Sequence, residues 1–494
     1  IIKNGTSGAH TVQLKAASGS GATVTFSATD KGYKIIYLDG VATNTGVYDV
    51  NSDLTVGDLT VTGAFEALGT IKLDGNYPTG DNNVALGDSA LDSGSLSGAN
   101  NVAIGFSALT SNTSGASNTV VGRSAMSTNT TGACNVAMGQ NALLQNTTGG
   151  LNVAIGRFAL DANTTASNNT AVGYESLSAN TTGGGNTAIG LCALNANTTG
   201  DQNVAIGLNT MQDNTTASNN TAVGFRAMDK NTTGTNNVGI GHDSMRCTTT
   251  GGSNTALGVC SLYTNVSGGA NIAIGLNALR LNTASNNLAV GHCAMHDNSS
   301  GTENTAFGFT SLNKNTTGDC NTALGRGALN KNTSADNNTA VGTYSLFTNT
   351  TGTQNTAVGK DALCANNNGS NNTALGHESL KASVNNDNTA VGFKSLLVNT
   401  AIGNTAVGAY SGDSNIGGAN ITAIGNRALC SNTTGNNGTA VGLCSLRSNT
   451  TGGCNTAVGV CSMFANTTGA NNAAVGEAAL DSNTEGNSNV AMGR

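Results

Sequence analysis

Histidine, cysteine and acidic side chains are the groups that most often catalyse reactions or bind metals, and in this chain they are scattered. The five histidines are His10, His242, His292, His296 and His377. His242, His292 and His377 each follow a glycine that recurs along the chain, but many residues separate them. The sequence has no C-x-x-C pair and no Gly-Gly-x-Gly-x-Asp calcium nonapeptide. We therefore predict no catalytic residues, no cofactor and no metal site.

The carboxylates are equally dispersed, with examples at Glu175, Asp243, Asp361, Glu378 and Glu477. A glycosidase places two carboxyl groups on either side of the bond that it cleaves. A pair on neighbouring repeat units stays open as an alternative, but the sequence singles out no such pair. The prediction is a protein that is not an enzyme.

The eleven cysteines also follow the repeat. Five lie two residues after the recurring glycine: Cys192, Cys260, Cys293, Cys444 and Cys461. Among these five, only Cys444 and Cys461 occupy the same place in consecutive units. We interpret the cysteines as free, small, half-buried residues. Disulfides between units or between chains remain the alternative.

The recurring glycine closes the phrase Asn-x-Ala-(Val/Ile/Leu/Met/Phe)-Gly, which is written with small variations 25 times between Val84 and Gly493. Of the 24 intervals between these glycines, 20 are 17 residues long, three are 16 and one is 18. A period this short and regular is typical of a solenoid, in which each unit packs only on its neighbours. At roughly 4.8 Å per unit, the array predicts a rod about 115 Å long.

Each unit, here called a coil, has 17 places, which we count from Asn118 to Cys134. Places 2 to 4 predict a minimal strand, and place 4 is apolar in all 25 coils. Place 3 is Ala in 23 coils, so little space is expected there, and place 9 is Leu or Met in 23 of 24. The glycine at place 5 allows a sharp turn or a positive φ. These turn glycines include Gly105, Gly122, Gly139, Gly156 and Gly173, and the predicted core includes Val121, Ile155, Val172, Ile189, Ile206, Leu143, Leu160 and Leu177.

Two apolar anchors and one Ala per coil bury little surface, so a single column of coils is predicted to be marginal. Several parallel chains around a shared axis of Val and Ile side chains would complete the core. Asn side chains stacked from coil to coil can also hydrogen-bond to one another along the rod. The residues therefore predict self-association, although they do not set the number of chains.

Residues 1–50 do not carry the repeat and predict a small β-meander, with strands at 11–15, 22–26, 34–38 and 46–50. Residues 51–82 predict a short β-shaft, and the repeat array occupies 83–494. A net charge of −7 without a basic run makes nucleic acid an unexpected partner. No apolar stretch reaches the roughly 18 residues that would span a membrane.

The end of each coil is rich in Asn-Thr-Thr-Gly, which favours a turn and is also a formal N-glycosylation acceptor. Glycosylation and a purely structural turn are both open at this stage. The acceptor asparagines are Asn112, Asn129, Asn146, Asn163, Asn180, Asn197, Asn214, Asn231, Asn265, Asn298, Asn315, Asn332, Asn349, Asn432, Asn449 and Asn466.

The phrases Asn101-Val-Ala-Ile-Gly105 and Asn169-Thr-Ala-Val-Gly173 resemble the head repeats of YadA-like trimeric autotransporter adhesins. This resemblance covers about 410 residues and implies a homotrimeric, left-handed parallel β-roll. The family's heads repeat less regularly, however, and its neck, coiled-coil stalk and membrane anchor are not found in this sequence. The N-terminal segments Lys3–Lys15 and Tyr33–Gly40 resemble modules of phage tail fibres.

Together the two resemblances imply an extracellular virion appendage that contacts a host receptor or glycan and binds other virion proteins through its N-terminal region. A cell-surface adhesin or a glycosylated extracellular filament is the alternative. Host contact would use the variable place 6, although drift on a solvated face explains that variation as well.

Overall fold

A computed structural model of the chain describes residues 81–382 and 385–494 in full, and only the backbone of six short strands before residue 81. The chain divides into two compact units, Ile1–Leu73 and Asp74–Arg494. The β-shaft predicted for 51–82 lies outside the described residues, apart from residues 81 and 82.

The first unit contains short antiparallel strands close to the predicted ones. Its six strands are β1 (Ile2–Lys3), β2 (Val12–Lys15), β3 (Thr23–Phe26), β4 (Tyr33–Lys34), β5 (Ile36–Leu38) and β6 (Val47–Asp49). Antiparallel pairs form between β1 and β4, β2 and β3, and β5 and β6. The strand predicted over 34–38 is found as two strands, β4 and β5.

The second unit contains 25 strands of three residues, one at places 2 to 4 of each coil. Numbered β7 to β31, they are Val84–Leu86, Val102–Ile104, Thr119–Val121, Val136–Met138, Val153–Ile155, Thr170–Val172, Thr187–Ile189, Val204–Ile206, Thr221–Val223, Val238–Ile240, Thr255–Leu257, Ile272–Ile274, Leu288–Val290, Thr305–Phe307, Thr322–Leu324, Thr339–Val341, Thr356–Val358, Thr373–Leu375, Thr389–Val391, Thr405–Val407, Thr422–Ile424, Thr439–Val441, Thr456–Val458, Ala473–Val475 and Val490–Met492. This confirms the predicted all-β solenoid and its period.

The strands form one parallel ladder in which each strand pairs with the strands before and after it in the chain. Equivalent places face each other, as Val120 faces Ala137 and Val121 faces Met138 between β9 and β10. At the ends, β7 pairs with β8 and β31 with β30. No pairing joins β31 to β7 among the described residues, so the ladder is open and its coils stack in a column.

The interior of each coil is built from small and unbranched side chains. Place 3 is buried in 23 of the 25 strands, all except β7 and β31. The predicted core residues Leu143, Leu160 and Leu177 at place 9 are fully buried. Because Ala at place 3 packs beside the long side chain at place 9, the column has a continuous core within one chain.

The glycine at place 5 is required both by its backbone angle and by the close approach of the next coil. The predicted turn glycines have φ of +129° (Gly105), +141° (Gly122), +134° (Gly139), +133° (Gly156) and +138° (Gly173). A Cβ on Gly122 would lie 2.5 Å from the carbonyl oxygen of Gly139. Any side chain here would therefore push two coils apart.

Three further places have positive φ although they are rarely glycine, which the sequence did not reveal. Place 9, for example, has φ between +47° and +55° in its Leu and Met residues. This conformation costs roughly 1–2 kcal/mol for a residue with a Cβ. Hydrogen bonds between coils offset that cost, since the backbone N–H of Ser124, Met126 and Cys134 each donate to a carbonyl of a neighbouring coil at 2.8–2.9 Å.

Two ladders of buried asparagine run along the column, as the stacking of coils predicted. At place 12, Nδ2 of Asn129 donates to Oδ1 of Asn112 at 2.8 Å, and Nδ2 of Asn146 donates to Oδ1 of Asn129 at 2.8 Å. At place 1, the backbone N–H of Asn118 donates to Oδ1 of Asn101 at 3.0 Å, and the N–H of Asn135 to Oδ1 of Asn118 at 2.9 Å. Most of these amides satisfy one another in the interior, where an unpaired polar group would be costly; Oδ1 of Asn231, which is followed by Thr248 at place 12 of the next coil, has no hydrogen-bond partner.

Two consecutive coils depart from the pattern at places that compensate each other. Gly412 stands where other coils have Leu or Met at place 9, and Ile421 stands where the next coil would have Asn at place 1. A Cβ on Gly412 would lie 3.6 Å from Cδ1 of Ile421 and 3.0 Å from Cδ2 of Leu396. Ile421 is buried and occupies space next to the missing side chain.

We expect Gly412→Leu to destabilise the fold by about 1–3 kcal/mol, because the new side chain overlaps Ile421 in a filled core. Combining it with Ile421→Asn restores the usual residues at both places and should recover much of the loss. Thermal unfolding of both single variants and the double variant measures this coupling. If Gly412→Leu and the double variant lost the same stability, Gly412 and Ile421 would not compensate each other.

Candidate functional site

The Val and Ile residues predicted for the core at place 4 do not lie in the interior of the single chain. Ile155, Ile189 and Ile206 are 37–39% exposed, and Val121 and Val172 are half-buried. The reason is that successive side chains of a β-strand point to opposite faces. Because Ala at place 3 points inward, the side chains at places 2 and 4 must point outward. That part of the prediction is wrong for one chain, whereas the Leu residues at place 9 are correctly placed.

Place 4 instead forms a continuous outward row, here called the apolar row, which runs through all 25 strands from Leu86 to Met492. None of its residues is buried, and 16 are among the exposed large apolar side chains. The in-register pairing of neighbouring strands places each member next to an equivalent one. The apolar row is a continuous apolar feature that the repeat builds on the described surface.

Place 6 lies one residue beyond the turn glycine and forms a second outward row of mixed character. Phe106, Leu191 and Phe309 are about half exposed. The residues here differ from coil to coil, in contrast to the apolar row. A surface that varies along a constant scaffold can carry a specific contact.

The three histidines at place 6 each pack against an aromatic ring of a neighbouring coil. The ring centroids of His242 and Phe225 are 5.1 Å apart, and those of His292 and Phe309 are 5.2 Å apart with planes 11° from parallel. His377 stacks on Phe393 at 5.5 Å. These contacts give the histidines a packing role along the column.

Asp361, His377 and Glu378 are a cluster whose possible ligand atoms lie within 4.8 Å of one another. Two ammonium groups already bind Glu378, with Lys381 Nζ 2.6 Å from Oε1 and Lys394 Nζ 3.5 Å from Oε2. A divalent cation at this cluster would therefore face two nearby positive charges. The absence of a metal site at this cluster stays a prediction.

A second charged network spans the coils from Asp213 to Tyr263. Lys230 Nζ lies 2.9 Å from Asp213 Oδ2 and 3.8 Å from the buried Asp229. Arg246 lies 3.7 Å from Asp229 and donates a 2.8 Å hydrogen bond to the Tyr263 hydroxyl. These ion pairs link successive coils, and burial is the main reason that the pKa of Asp229 is raised.

Asp161 and Glu175, on neighbouring coils, are the structural candidates for the carboxylate pair that the sequence left open. Half-burial is the main reason that the pKa of Asp161 is raised to about 6, and the charge of Glu175 adds to this effect. Backbone hydrogen bonds at Asp161 and Ala162 oppose it. Glu175 Oε2 in turn accepts a long contact of 3.9 Å from the Cys192 thiol.

The asparagines of the Asn-Thr-Thr-Gly turns are buried, which favours a structural turn over a glycan acceptor at these places. Asn129 Nδ2 uses one hydrogen for Asn112 and the other for the carbonyl of Gly132, at 3.0 Å. N-glycosylation would replace one of these hydrogens with a sugar that the interior cannot hold. The same burial applies to Asn146, Asn163, Asn180, Asn197, Asn214, Asn231, Asn315, Asn349, Asn432, Asn449 and Asn466.

The described residues include no helix long and apolar enough to cross a membrane. Comparison with protein-family models, with curated proteins and with solved structures finds no match for this chain.

We expect Asn197→Ala to lower the thermal midpoint clearly, because it leaves Oδ1 of Asn180 without its donor and one N–H of Asn214 Nδ2 without its acceptor. Each buried group left unpaired costs about 1–3 kcal/mol. Thr199→Ala, an exposed turn residue two places further on, is the matched control and should stay within about 0.5 kcal/mol of the parent. Equal midpoints for the two variants would show that the ladder does not stabilise the fold.

We expect Asp161→Asn to gain stability over the parent as the pH rises from about 4 to about 7. The folded state holds the Asp161 proton up to a pKa of about 6, whereas the unfolded chain releases it near pH 4. The parent therefore loses stability across this window and the Asn variant does not. Thermal midpoints measured at a series of pH values test this difference.

Asp297→Asn is the control for the pH series. Although burial raises the pKa of Asp297, hydrogen bonds from Lys314 and His296 outweigh it and lower the pKa overall. This carboxylate therefore stabilises the fold above about pH 4, and between about pH 4 and pH 5, below the usual titration range of histidine, its removal should cause a loss that does not shrink as the pH rises. If Asp161→Asn shows the same profile, the raised pKa is wrong.

Proposed function

We propose that this chain is a non-enzymatic fibre protein of a virion appendage, of the phage tail-fibre type, which works as a homotrimer and presents a host-contact surface. The observation that carries this proposal is the apolar row. Place 4 is apolar in every coil and yet unburied in every coil, while the outward place 6 varies freely. A place that stays apolar although it is exposed, beside another exposed place that varies, is expected when one continuous partner covers place 4 along the whole column.

Other copies of the same chain are the partner that fits this row. The row follows the full ladder with the period of the coils, so its partner must have apolar groups with the same period over the same length. An identical column laid parallel meets both requirements. Ile and Val side chains from neighbouring chains would then form the shared axis, and the resemblance to YadA-like heads sets the number of chains at three.

In such a fibre the chain acts through its rigidity. The hydrogen-bonded coils space the host-contact surface from the attachment point, and the N-terminal region binds other virion proteins. The variable place 6 supplies the host contact, to a receptor or a glycan. No nucleic acid, cofactor or membrane insertion is part of this function.

A cell-surface adhesin built on the same column is the second candidate, favoured by the resemblance of the repeat to adhesin heads. Both candidates require the same self-association. Locating the protein with antibodies on purified virions and on cells of the producing organism separates them. Label on virions supports the appendage, and label confined to the cell surface supports the adhesin.

Native mass determination tests the self-association. We expect the parent protein to have the mass of three chains. The double variant Ile189→Asp/Ile206→Asp puts two charges on the apolar row and should dissociate the assembly, because a buried unpaired carboxylate is costly. Thr182→Asp/Thr199→Asp adds the same charges at exposed turn places and should leave the mass unchanged.

A monomeric parent protein would contradict the proposed assembly. If Ile189→Asp/Ile206→Asp remained trimeric, the apolar row would not be the interface. Circular dichroism of both double variants checks that the strands are retained, so that a change of mass reports on association and not on unfolding.

A further inference from the structure

Cys444 and Cys461 occupy place 7 of two consecutive coils, 438–454 and 455–471. All eleven cysteines lie in the described part of the chain, as free thiols. At place 7, the other cysteines have different residues in the adjacent coils, as Cys192 has Glu175 and Asn209. Cys444 and Cys461 are therefore the one pair of cysteines that occupies place 7 of consecutive coils.

The backbone holds these two residues in equivalent positions. Their φ angles are +53° and +54°, so their Cα–Cβ bonds leave the two coils in nearly the same direction. The N–H of Cys461 donates to the carbonyl of Leu443 at 2.9 Å, which fixes the register at this point. Stacked coils separate equivalent Cα atoms by about 4.8 Å, within the roughly 4.4–6.8 Å span of disulfides.

Contacts nearby show that side chains reach from coil to coil at this place. One residue further on, the hydroxyl oxygens of Ser445 and Ser462 are 3.1 Å apart. At place 7 of other coils, Cys192 Sγ lies 3.9 Å from Glu175 Oε2, and Lys394 Nζ lies 3.5 Å from Glu378 Oε2. Longer side chains at place 7 thus meet across neighbouring coils, whereas a bond between two cysteines requires their Cβ atoms to approach from about 4.8 Å to the roughly 3.5–4.5 Å of a disulfide.

We propose that Cys444 and Cys461 are an oxidation site, where a disulfide joins the two coils. Both thiols are partly exposed and so accessible to a small disulfide oxidant such as oxidised glutathione. The bond would close a short loop of one coil and keep these coils from separating, as a covalent addition to the hydrogen-bonded ladder.

The reaction is a thiol–disulfide exchange in two steps. The Cys461 thiol loses its proton, and the resulting thiolate attacks one sulfur of oxidised glutathione and releases one glutathione thiolate, which takes up a proton. The Cys444 thiolate then attacks the Cys461 sulfur of the mixed disulfide and releases the second glutathione. Two protein thiols are oxidised to one disulfide while one glutathione disulfide is reduced to two thiols.

Peptide mapping of the folded full-length chain tests the site. In a Cys430→Ser/Cys454→Ser background, cleavage after Arg427 and Arg447 gives two peptides that each contain one cysteine, Cys444 or Cys461. After incubation with excess oxidised glutathione and alkylation of free thiols, we expect these peptides to be joined, two hydrogen masses below their sum. Cys444→Ser in the same background should leave Cys461 as a glutathione adduct or an alkylated thiol.

Cys260 and Cys293, which lie two coils apart at place 7, are the internal control and should not be joined. The proposal is overturned if the 444 and 461 peptides remain separate under these conditions, or if the reduced folded protein resists alkylation at both thiols. As a second readout, oxidation should raise the thermal midpoint of this background and should not raise it when Cys444 is also replaced by Ser.

Discussion

The in-register stacking of short coils, each hydrogen-bonded to the next, is the constraint on which the rest of this structure depends. A coil of 17 residues cannot enclose a core of its own, so its backbone groups and side chains must find partners in its neighbours. Every coil therefore has to present the same groups at the same places. The strictness of the repeat follows directly from this requirement, since one misplaced bulky residue would disturb two interfaces.

Three features let each coil pack on its neighbours in register: a glycine, two asparagines and a left-handed backbone. Glycine at place 5 lets the carbonyl of the next coil approach where a Cβ would clash. Asparagine at places 1 and 12 carries both a donor and an acceptor, so that one residue type can pair with itself from coil to coil until another residue interrupts the row, as Thr248 does at place 12. The left-handed backbone at place 9 turns Leu and Met inward, and the hydrogen bonds between coils offset its cost.

The same stacking also creates the outer surface. Because the interior beside each strand is filled by Ala and by the place-9 side chain, Val and Ile at place 4 are left outside as a row as long as the column. Buried asparagines and unburied valines reverse the usual expectation for a protein interior. Both follow from the geometry of a narrow coil, in which only one side chain of a three-residue strand can point inward.

The sequence by itself determined the period, the strand in each coil, the turn glycine and the place-9 anchor, because each is a pattern of residue types repeated many times. It also determined that neighbouring asparagines would stack. Tertiary structure alone decided which side of each strand is the interior, because Thr-Ala-Val reads equally well with either face inward. It likewise decided that Asn129 and its equivalents lie inside, since Asn-Thr-Thr-Gly favours a turn wherever its side chains point. The exchange between Gly412 and Ile421 was hidden for a related reason: the two residues are nine positions apart and meet only when one coil is laid on the next.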